Sequence, residues 1–118
     1  MYYQEYGRKY KNVRKDYKDV MYDSKLEANY AHTLDLMMKA SDDRQRVVKW
    51  DRQVKLDLRV NGEHIANYYI DFIVEYADGH IEYAEVKGME TDVWKLKWKL
   101  TQAIYGKENP DIVFRVVK

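Results

Sequence analysis

The sequence contains no cysteine, and this absence removes several classes of function at once. Without a thiol, the chain has no disulfide framework, no cysteine-based zinc site and no cysteine nucleophile. No apolar run approaches the roughly 20 residues that a transmembrane helix needs, and residues 1–19 are charged and tyrosine-rich rather than signal-like. We therefore expect a soluble cytoplasmic protein that has no membrane partner.

Other familiar sites are missing as well. No glycine-rich phosphate loop is present, so the sequence does not indicate coupling to nucleotide hydrolysis. The histidines His32, His64 and His80 lack the spacing of a metal site or a catalytic dyad. A chain of 118 residues is long enough to bury one modest core. We predict an N-terminal arm over residues 1–21 and one domain over residues 22–118.

The formal net charge of +1 hides a basic N-terminal arm. Its cationic residues are Arg8, Lys9, Lys11, Arg14, Lys15 and Lys18. These side chains would gain from counterion release on binding phosphates, and the tyrosines between them can stack on exposed bases. The alternative is a solvated terminus without a partner. The sequence leaves both interpretations open.

Two segments show the spacing of amphipathic helices. The first covers residues 24–39 and begins with a capping box formed by Ser24 and Glu27. The second covers residues 91–105, is capped by its threonine, and is expected to end before Gly106. Its predicted buried stripe consists of Val93, Leu96, Leu100, Ala103 and Ile104.

Alternating apolar and polar residues predict three strands between these helices, over residues 54–60, 64–76 and 80–87. Asn-Gly and Asp-Gly turns join them, which favours an antiparallel meander. Residues 112–117 are β-branched and apolar enough for a last strand, and the helical crossover before it favours parallel pairing. The sequence therefore predicts an α/β fold with a mixed sheet.

Charged residues on two of the predicted strands point to chemistry. Asp71 lies in the most apolar strand of the chain, where an ionised carboxylate needs a hydrogen-bond network, a cation or a metal. Glu85 and Lys87 follow on the next strand, two residues apart and hence on one face. The plain alternative is a set of solvated cross-strand charges, each pair contributing under about 1 kcal/mol.

The hairpin between these strands decides whether the two acids meet. A two-residue loop would pair Ala77 with His80 and place Asp71 on the face opposite Glu85. A three-residue loop with Gly79 in a left-handed conformation, or a bulge further along, would pair Asp71 with Glu85. We predict the arrangement in which the two carboxylates are aligned.

Two aligned carboxylates repel each other and favour a divalent cation between them. Oxygen ligands suit Mg²⁺, with Mn²⁺ as a substitute, and such a cation polarises a phosphate and acidifies water. Lys87 would orient that water or neutralise developing charge. Glu27, at the start of the first helix, is a candidate third acid, although its capping role alone explains its presence. These residues predict phosphodiester hydrolysis.

The order and spacing of these residues resemble the PD-(D/E)XK nuclease superfamily, and the longer runs resemble its phage Holliday-junction-resolvase-like branch. The runs are YDSKLEANYA, WDRQVKLDL, YYIDFIVEYADGHIEYAEVKG and TDVWKLKWKL. One departure is Ile70, which stands in the place of the motif's proline. The resemblance covers nearly all of residues 22–105.

The resemblance implies a restriction-endonuclease-like αβββαβ core and magnesium-dependent cleavage of DNA. It places Glu27, Asp71, Glu85 and Lys87 on catalytic positions, the three acids among them as metal ligands. Ser24 matches a serine that assists some resolvases. Resolvases of this kind act as two-fold dimers, because symmetric incision of a four-way junction needs two sites at a fixed separation. A homodimer acting on branched DNA is therefore expected.

Further residues are candidates for DNA contact. Besides the arm, they are Ser24, Lys25, Lys95, Lys97 and Lys99. The alternative for the second helix is a solvated face, with Trp94 and Trp98 at a dimer interface. Gln53, just before the first predicted strand, is a candidate support for the metal cluster or a hydrogen-bonding residue at a strand edge.

Several functions share this set of residues. A junction-selective endonuclease and another nuclease of the same fold, trimming flaps, single strands or ends, differ in the shape of their substrate. A catalytically silent DNA-binding module would require one of the four catalytic positions to be misplaced. An unrelated small α/β domain with accidental acids would place Glu27 and Asp71 on distant surfaces.

Overall fold

The computed structural model describes the backbone of residues 15–17 and 20–22 and the whole of residues 24–118. Its first elements are two short strands, β1 (Lys15–Tyr17) and β2 (Val20–Tyr22), which pair antiparallel. The sequence analysis predicted no strand there, because three-residue strands carry too little periodicity to be recognised.

The described domain contains two helices and a four-stranded sheet. Its elements are α1 (Lys25–Met37), β3 (Val47–Val60), β4 (Glu63–Tyr76), β5 (Ile81–Val86), α2 (Asp92–Glu108) and β6 (Ile112–Val117). The strand order is β3-β4-β5-β6, with antiparallel pairing throughout except for the parallel pair β5 and β6. The predicted α/β class with a mixed sheet is confirmed, as is the parallel last strand. No helix within the described ranges is long and apolar enough to cross a membrane.

Two boundaries differ from the predictions. Strand β3 begins at Val47, well before the predicted start at residue 54, because its first half alternates poorly between apolar and charged residues. Helix α2 continues through Gly106, where the predicted stop was wrong. A Cβ at this glycine would lie 3.2 Å from the Phe114 ring, so the glycine allows close helix-strand packing rather than ending the helix.

The helices cover opposite faces of the sheet and form two cores. The α1-side core comprises Ala28, Ala31, Leu34, Val47, Phe72, Val74, Tyr76, Ala84 and Val86. The α2-side core comprises Leu56, Leu58, Tyr68, Ile70, Trp94 and Trp98, with Ile73, Tyr83 and Phe114 packed against it. The sheet is therefore buried on both faces around β5, where the candidate acids lie.

The buried face of helix α2 agrees only in part with the predicted stripe: Leu100 and Ile104 pack against the α2-side core, but the helix is rotated toward its tryptophans. Trp94, Trp98 and Thr101 are buried, whereas Val93 is 65% exposed and Leu96 is 67% exposed. Two stripes on this helix are apolar, and the tryptophan stripe buries the larger area because indole rings are large. The alternative that placed Trp94 and Trp98 at a dimer interface is therefore wrong, since both indoles lie inside this domain.

The side-chain alternation of β4 is interrupted at Asp71. Phe72 and Val74 face α1, as alternation predicts, but Ile70 packs on the α2 side together with Ile73. These two isoleucines would point to opposite faces of a regular strand. The register passes directly from the pair Arg52–Phe72 to the pair Val54–Ile70, and Gln53 between them has a φ of 51°. Asp71 thus lies at a local irregularity of the sheet.

The hairpin joining β4 to β5 has the three-residue loop. The Tyr76 backbone N–H donates to the His80 carbonyl over 3.0 Å, which leaves residues 77–79 as the loop, and Gly79 has a φ of 95°. Phe72 pairs with Ala84 in the resulting register. One residue further, Asp71 stands opposite Glu85, as predicted.

Candidate active site

The carboxylates of Asp71 and Glu85 lie together in the interior, and each residue is 1% exposed. Each accepts a hydrogen bond from the backbone of the opposite strand. The Asp71 N–H donates to Glu85 Oε2 over 2.8 Å, and the Val86 N–H donates to Asp71 Oδ2 over 2.9 Å. The two carboxylates thus accept backbone N–H groups where β4 and β5 begin to pair. These hydrogen bonds hold both acids against the strands.

The second oxygen of Glu85 is bound by two aromatic side chains. The Tyr68 hydroxyl donates to Oε1, and the Trp94 Nε1–H donates to the same oxygen over 2.8 Å. Trp94 Nε1 also lies 2.9 Å from the Tyr68 hydroxyl oxygen. Three donors, from β4 and α2, therefore surround one buried carboxylate.

Lys87 provides the cation beside this pair. It is 8% exposed, and its ammonium group lies 5.4 Å from the centre of the Trp94 ring. Its backbone N–H donates to the Val117 carbonyl over 2.9 Å, which fixes the end of β5 against β6. Attraction to the indole face supplements its interaction with the acids.

Burial, followed by the charge of Asp71, raises the pKa of Glu85 well above its ordinary value. The hydrogen bond from Tyr68 and the charge of Lys87 act in the opposite direction and stabilise the ionised carboxylate. Burial and the nearby Glu85 charge also raise the pKa of Tyr68, so this hydroxyl stays a donor. The pair of acids is therefore electrostatically unfavourable unless a cation or proton is shared between them.

Glu27 lies at the start of α1 and is 4% exposed. Ser24 is the N-cap, as predicted, and its hydroxyl accepts the Glu27 N–H over 3.1 Å. No three His, Asp or Glu side chains are grouped closely enough to hold a metal ion in the part of the chain that the structure describes. The structure thus brings Asp71, Glu85 and Lys87 together, while Glu27 does not complete a three-acid cluster.

The remaining candidates divide between surface and interior. Lys25, Lys95 and Lys99 are exposed, and the Lys97 ammonium donates to the Asn67 carbonyl over 3.5 Å. Gln53 lies within β3 rather than before it, in a left-handed conformation opposite Asp71. The side chains proposed for the arm, Arg8, Lys9, Lys11, Arg14 and Lys15, lie outside the described residues.

The donor set fits a hard divalent cation. Asp71 and Glu85 offer carboxylate oxygens, and Mg²⁺ is commonly held by one or two carboxylates together with water and substrate phosphate. After burial, the charge of Asp71 is the next cause of the raised pKa of Glu85, and a bound cation would offset that charge. Two buried acids with one lysine are therefore compatible with Mg²⁺ or Mn²⁺.

The sequence analysis missed Tyr68 and Trp94 as members of this site. Tyr68 precedes Asp71 by three residues, so regular alternation would place it on the other face of β4. Trp94 was assigned to the outer face of α2. A signal was present in the spacing of Trp94, Trp98 and Thr101, which forms a second stripe at helical intervals.

A further buried carboxylate lies on β5 but faces α1. Glu82 is 1% exposed and forms an ion pair with Arg115 of β6. The Tyr76 hydroxyl donates to Glu82 Oε2 over 2.6 Å. Burial, followed by the charge of Glu82, raises the pKa of Tyr30 on α1. This acid has a cation and hydroxyl donors around it and belongs to the packing of α1, β5 and β6.

Comparisons with known proteins place the chain in one family. The chain has no match among the curated proteins or among the solved structures with which it was compared. The family match spans residues 7–118, which includes every element of the described domain and every acid of the candidate site. The chain therefore belongs to the family described as protein of unknown function (DUF1064).

Proposed function

We propose that this protein is a magnesium-dependent DNA endonuclease of the PD-(D/E)XK kind. The observation that carries the proposal is the placement of Asp71 and Glu85 side by side in the interior, with Lys87 on the same side of the sheet. Ordinary packing gives no reason to bury two mutually repelling carboxylates. A catalytic site does, because strain of this kind is retained where a ligand relieves it.

The arrangement of elements supports the same proposal. The order α1, β3, β4, β5, α2, β6 agrees with the αβββαβ order of the restriction-endonuclease-like core. Asp71 precedes Glu85 and Lys87 across a hairpin, as in the motif that the sequence resembles. This agreement concerns topology, so it supports the proposal without identifying a substrate.

Asp71 and Glu85 would hold the cation, which when bound supplies Lewis-acid activation of a phosphodiester and of water. The two backbone N–H donors from Asp71 and Val86 keep the acids in place. Lys87 is positioned to neutralise negative charge that develops on the phosphate. The aromatic wall formed by Trp94 and Tyr68 excludes water from one side of the acids, which strengthens these interactions.

Branched DNA is the proposed substrate, and a homodimer in the cytoplasm is the proposed working form. The exposed ammonium groups of Lys95 and Lys99 on α2 support contact with phosphates, because this helix also supplies Trp94 to the site. Symmetric cleavage of a four-way junction would require two such sites in one assembly. Another nuclease activity on flaps, single strands or ends remains the alternative for the same site.

The test uses a labelled four-way junction and a linear duplex of matching sequence, with Mg²⁺ or with chelator. We expect symmetric nicking of the junction by the wild type and a loss of at least about a hundredfold in Asp71→Asn and in Lys87→Ala. Glu75→Gln and Lys49→Ala are the controls, since they remove exposed charges of the same types from β4 and β3. Both should keep full activity.

Each alternative predicts a different result. Cleavage of the linear duplex as well as the junction would favour a general nuclease of this fold. Tight junction binding without metal-dependent cleavage would favour a silent DNA-binding module. Cleavage that persists in Asp71→Asn at the wild-type rate would refute the proposed site. Glu27→Gln, measured in parallel, determines whether α1 contributes a third acid.

A further inference from the structure

Three hydrogen-bond donors to Glu85 come from residues in β4 and α2. The Tyr68 hydroxyl and the Trp94 indole N–H both donate to Oε1, whereas Oε2 accepts from the Asp71 backbone. Oε1 thus faces the two aromatic side chains, and Oε2 faces Asp71, whose backbone N–H it accepts.

We propose that Tyr68 and Trp94 form a clamp that orients the Glu85 carboxylate, so that Oε2 is presented to a divalent cation shared with Asp71. This inference rests on the proposed function. Tyr68 and Trp94 are positioning residues, because they act through Glu85 rather than on the substrate. Hydrogen-bonding partners of metal ligands act in this way in many sites, by fixing the orientation of the ligand.

Trp94 adds a second role through the face of its ring. Its N–H edge donates to Glu85 over 2.8 Å, while its π face lies 5.4 Å from the Lys87 ammonium. One buried indole, itself 6% exposed, therefore contacts both the acid and the base of the Glu-Val-Lys motif. Through this single side chain, α2 contacts both groups.

The fold holds the clamp rigidly. Thr91 caps α2 and accepts the Trp94 backbone N–H over 3.1 Å, which fixes the first turn of the helix. Trp98, one turn further, stacks on Trp94 with ring centres 5.9 Å apart. Tyr68 is brought to the α2 side by the interruption of alternation at Asp71. The irregularity in β4 thus places an aspartate and the clamp tyrosine at one site.

The proposal is tested by Mn²⁺ binding to the full chain, measured by titration calorimetry without DNA. We expect Tyr68→Phe and Trp94→Phe each to weaken Mn²⁺ binding about tenfold or more, the range for lost partners of metal ligands. Both variants keep an aromatic ring, so packing is largely retained. The double variant should lose less than the product of the two effects, because both donors bind one oxygen.

Matched variants separate positioning from packing. Tyr83→Phe removes a hydroxyl from the same core, where the Tyr83 ring packs against Tyr105 and Phe114. Trp50→Phe removes an indole from the α1-side core, where its Nε1–H donates to Asp35 over 2.9 Å. Both controls should bind Mn²⁺ like the wild type, and thermal unfolding of all variants identifies any that fail to fold. If one of the two clamp variants fails to fold, the variant of the other clamp residue is used for the test.

Indole fluorescence provides a readout that does not depend on cleavage. A cation on Oε2 draws negative charge away from the carboxylate that the Trp94 N–H contacts, so Mg²⁺ should change the emission of the wild type and of Trp50→Phe but not of Trp94→Phe. If the clamp variants bind Mn²⁺ as tightly as the controls, the clamp is refuted and the proposed function stands. If the wild type binds neither cation, both the proposed function and the clamp are overturned.

Discussion

Glu82 and Glu85 lie three residues apart on β5, are equally buried, and face opposite sides of the sheet. Glu82 has the Arg115 guanidinium and the Tyr76 hydroxyl as partners. Glu85 instead faces Asp71, and its pKa is raised by burial and by that second negative charge. Each carboxylate has a cation nearby, Arg115 for Glu82 and Lys87 for Glu85, so the second carboxylate beside Glu85 is what distinguishes the two.

The largest effect on stability is expected when Glu82 loses its ion pair with Arg115. Arg115→Met should destabilise the protein by about 3 kcal/mol, at the lower end for breaking a buried ion pair because the Arg115 side chain is 58% exposed. Urea unfolding measures the change. The control is Arg59→Met, whose partner Asp57 is half exposed, so the loss of this solvated pair should cost far less. Equal costs would show that Arg115 does not compensate Glu82.

The hydroxyl donors of the Glu82 network should give the next largest effect. Tyr76→Phe removes a 2.6 Å hydrogen bond to a buried carboxylate and should cost about 2 kcal/mol, because bonds to charged groups exceed those between neutral groups. Tyr83→Phe serves as the control. A double-mutant cycle with Glu82→Gln isolates the coupling, and a coupling near zero would contradict the assignment of this bond.

Relief of the repulsion at Glu85 should stabilise the protein even though it removes an acid from the proposed site. Asp71→Asn removes the second charge and should add about 1 kcal/mol of stability at pH 8, as substitutions at strained sites commonly do. The pKa of Glu85 is raised in the folded protein, so the folded protein loses stability as the pH rises above 4.5, the ordinary pKa of a glutamate. The gain should therefore vanish below that pH. Glu75→Gln should show no such gain, and a destabilised Asp71→Asn at pH 8 would contradict the repulsion.

The smallest effect concerns the two helix caps. Thr91→Ala and Ser24→Ala should each cost about 1 kcal/mol, because each cap accepts one backbone N–H over 3.1 Å. Only Thr91→Ala should weaken Mn²⁺ binding, since its cap fixes the turn that carries Trp94. Weaker binding in Ser24→Ala would contradict a two-carboxylate site and bring Glu27 into it.

Much of the fold and part of the site could be predicted from local patterns. The caps Ser24 and Thr91 were recognised because a hydroxyl before an amphipathic segment satisfies free backbone donors. The pairing of Asp71 with Glu85 followed from the loop length that Gly79 permits. The rotation of α2 could not be predicted, because Val93 and Trp94 begin two apolar stripes and only packing against the sheet selects one.

Over residues 24–118 the sequence by itself determined the order of helices and strands, the register of the β4–β5 hairpin and the two acids that meet there. These features depend on side-chain periodicity and turn chemistry, which act over a few residues. Only the tertiary structure decided that Tyr68 and Trp94 surround Glu85 and that Arg115 neutralises Glu82. Those contacts join residues 9 to 33 positions apart, through an interrupted strand and a helix rotation that local preference leaves open.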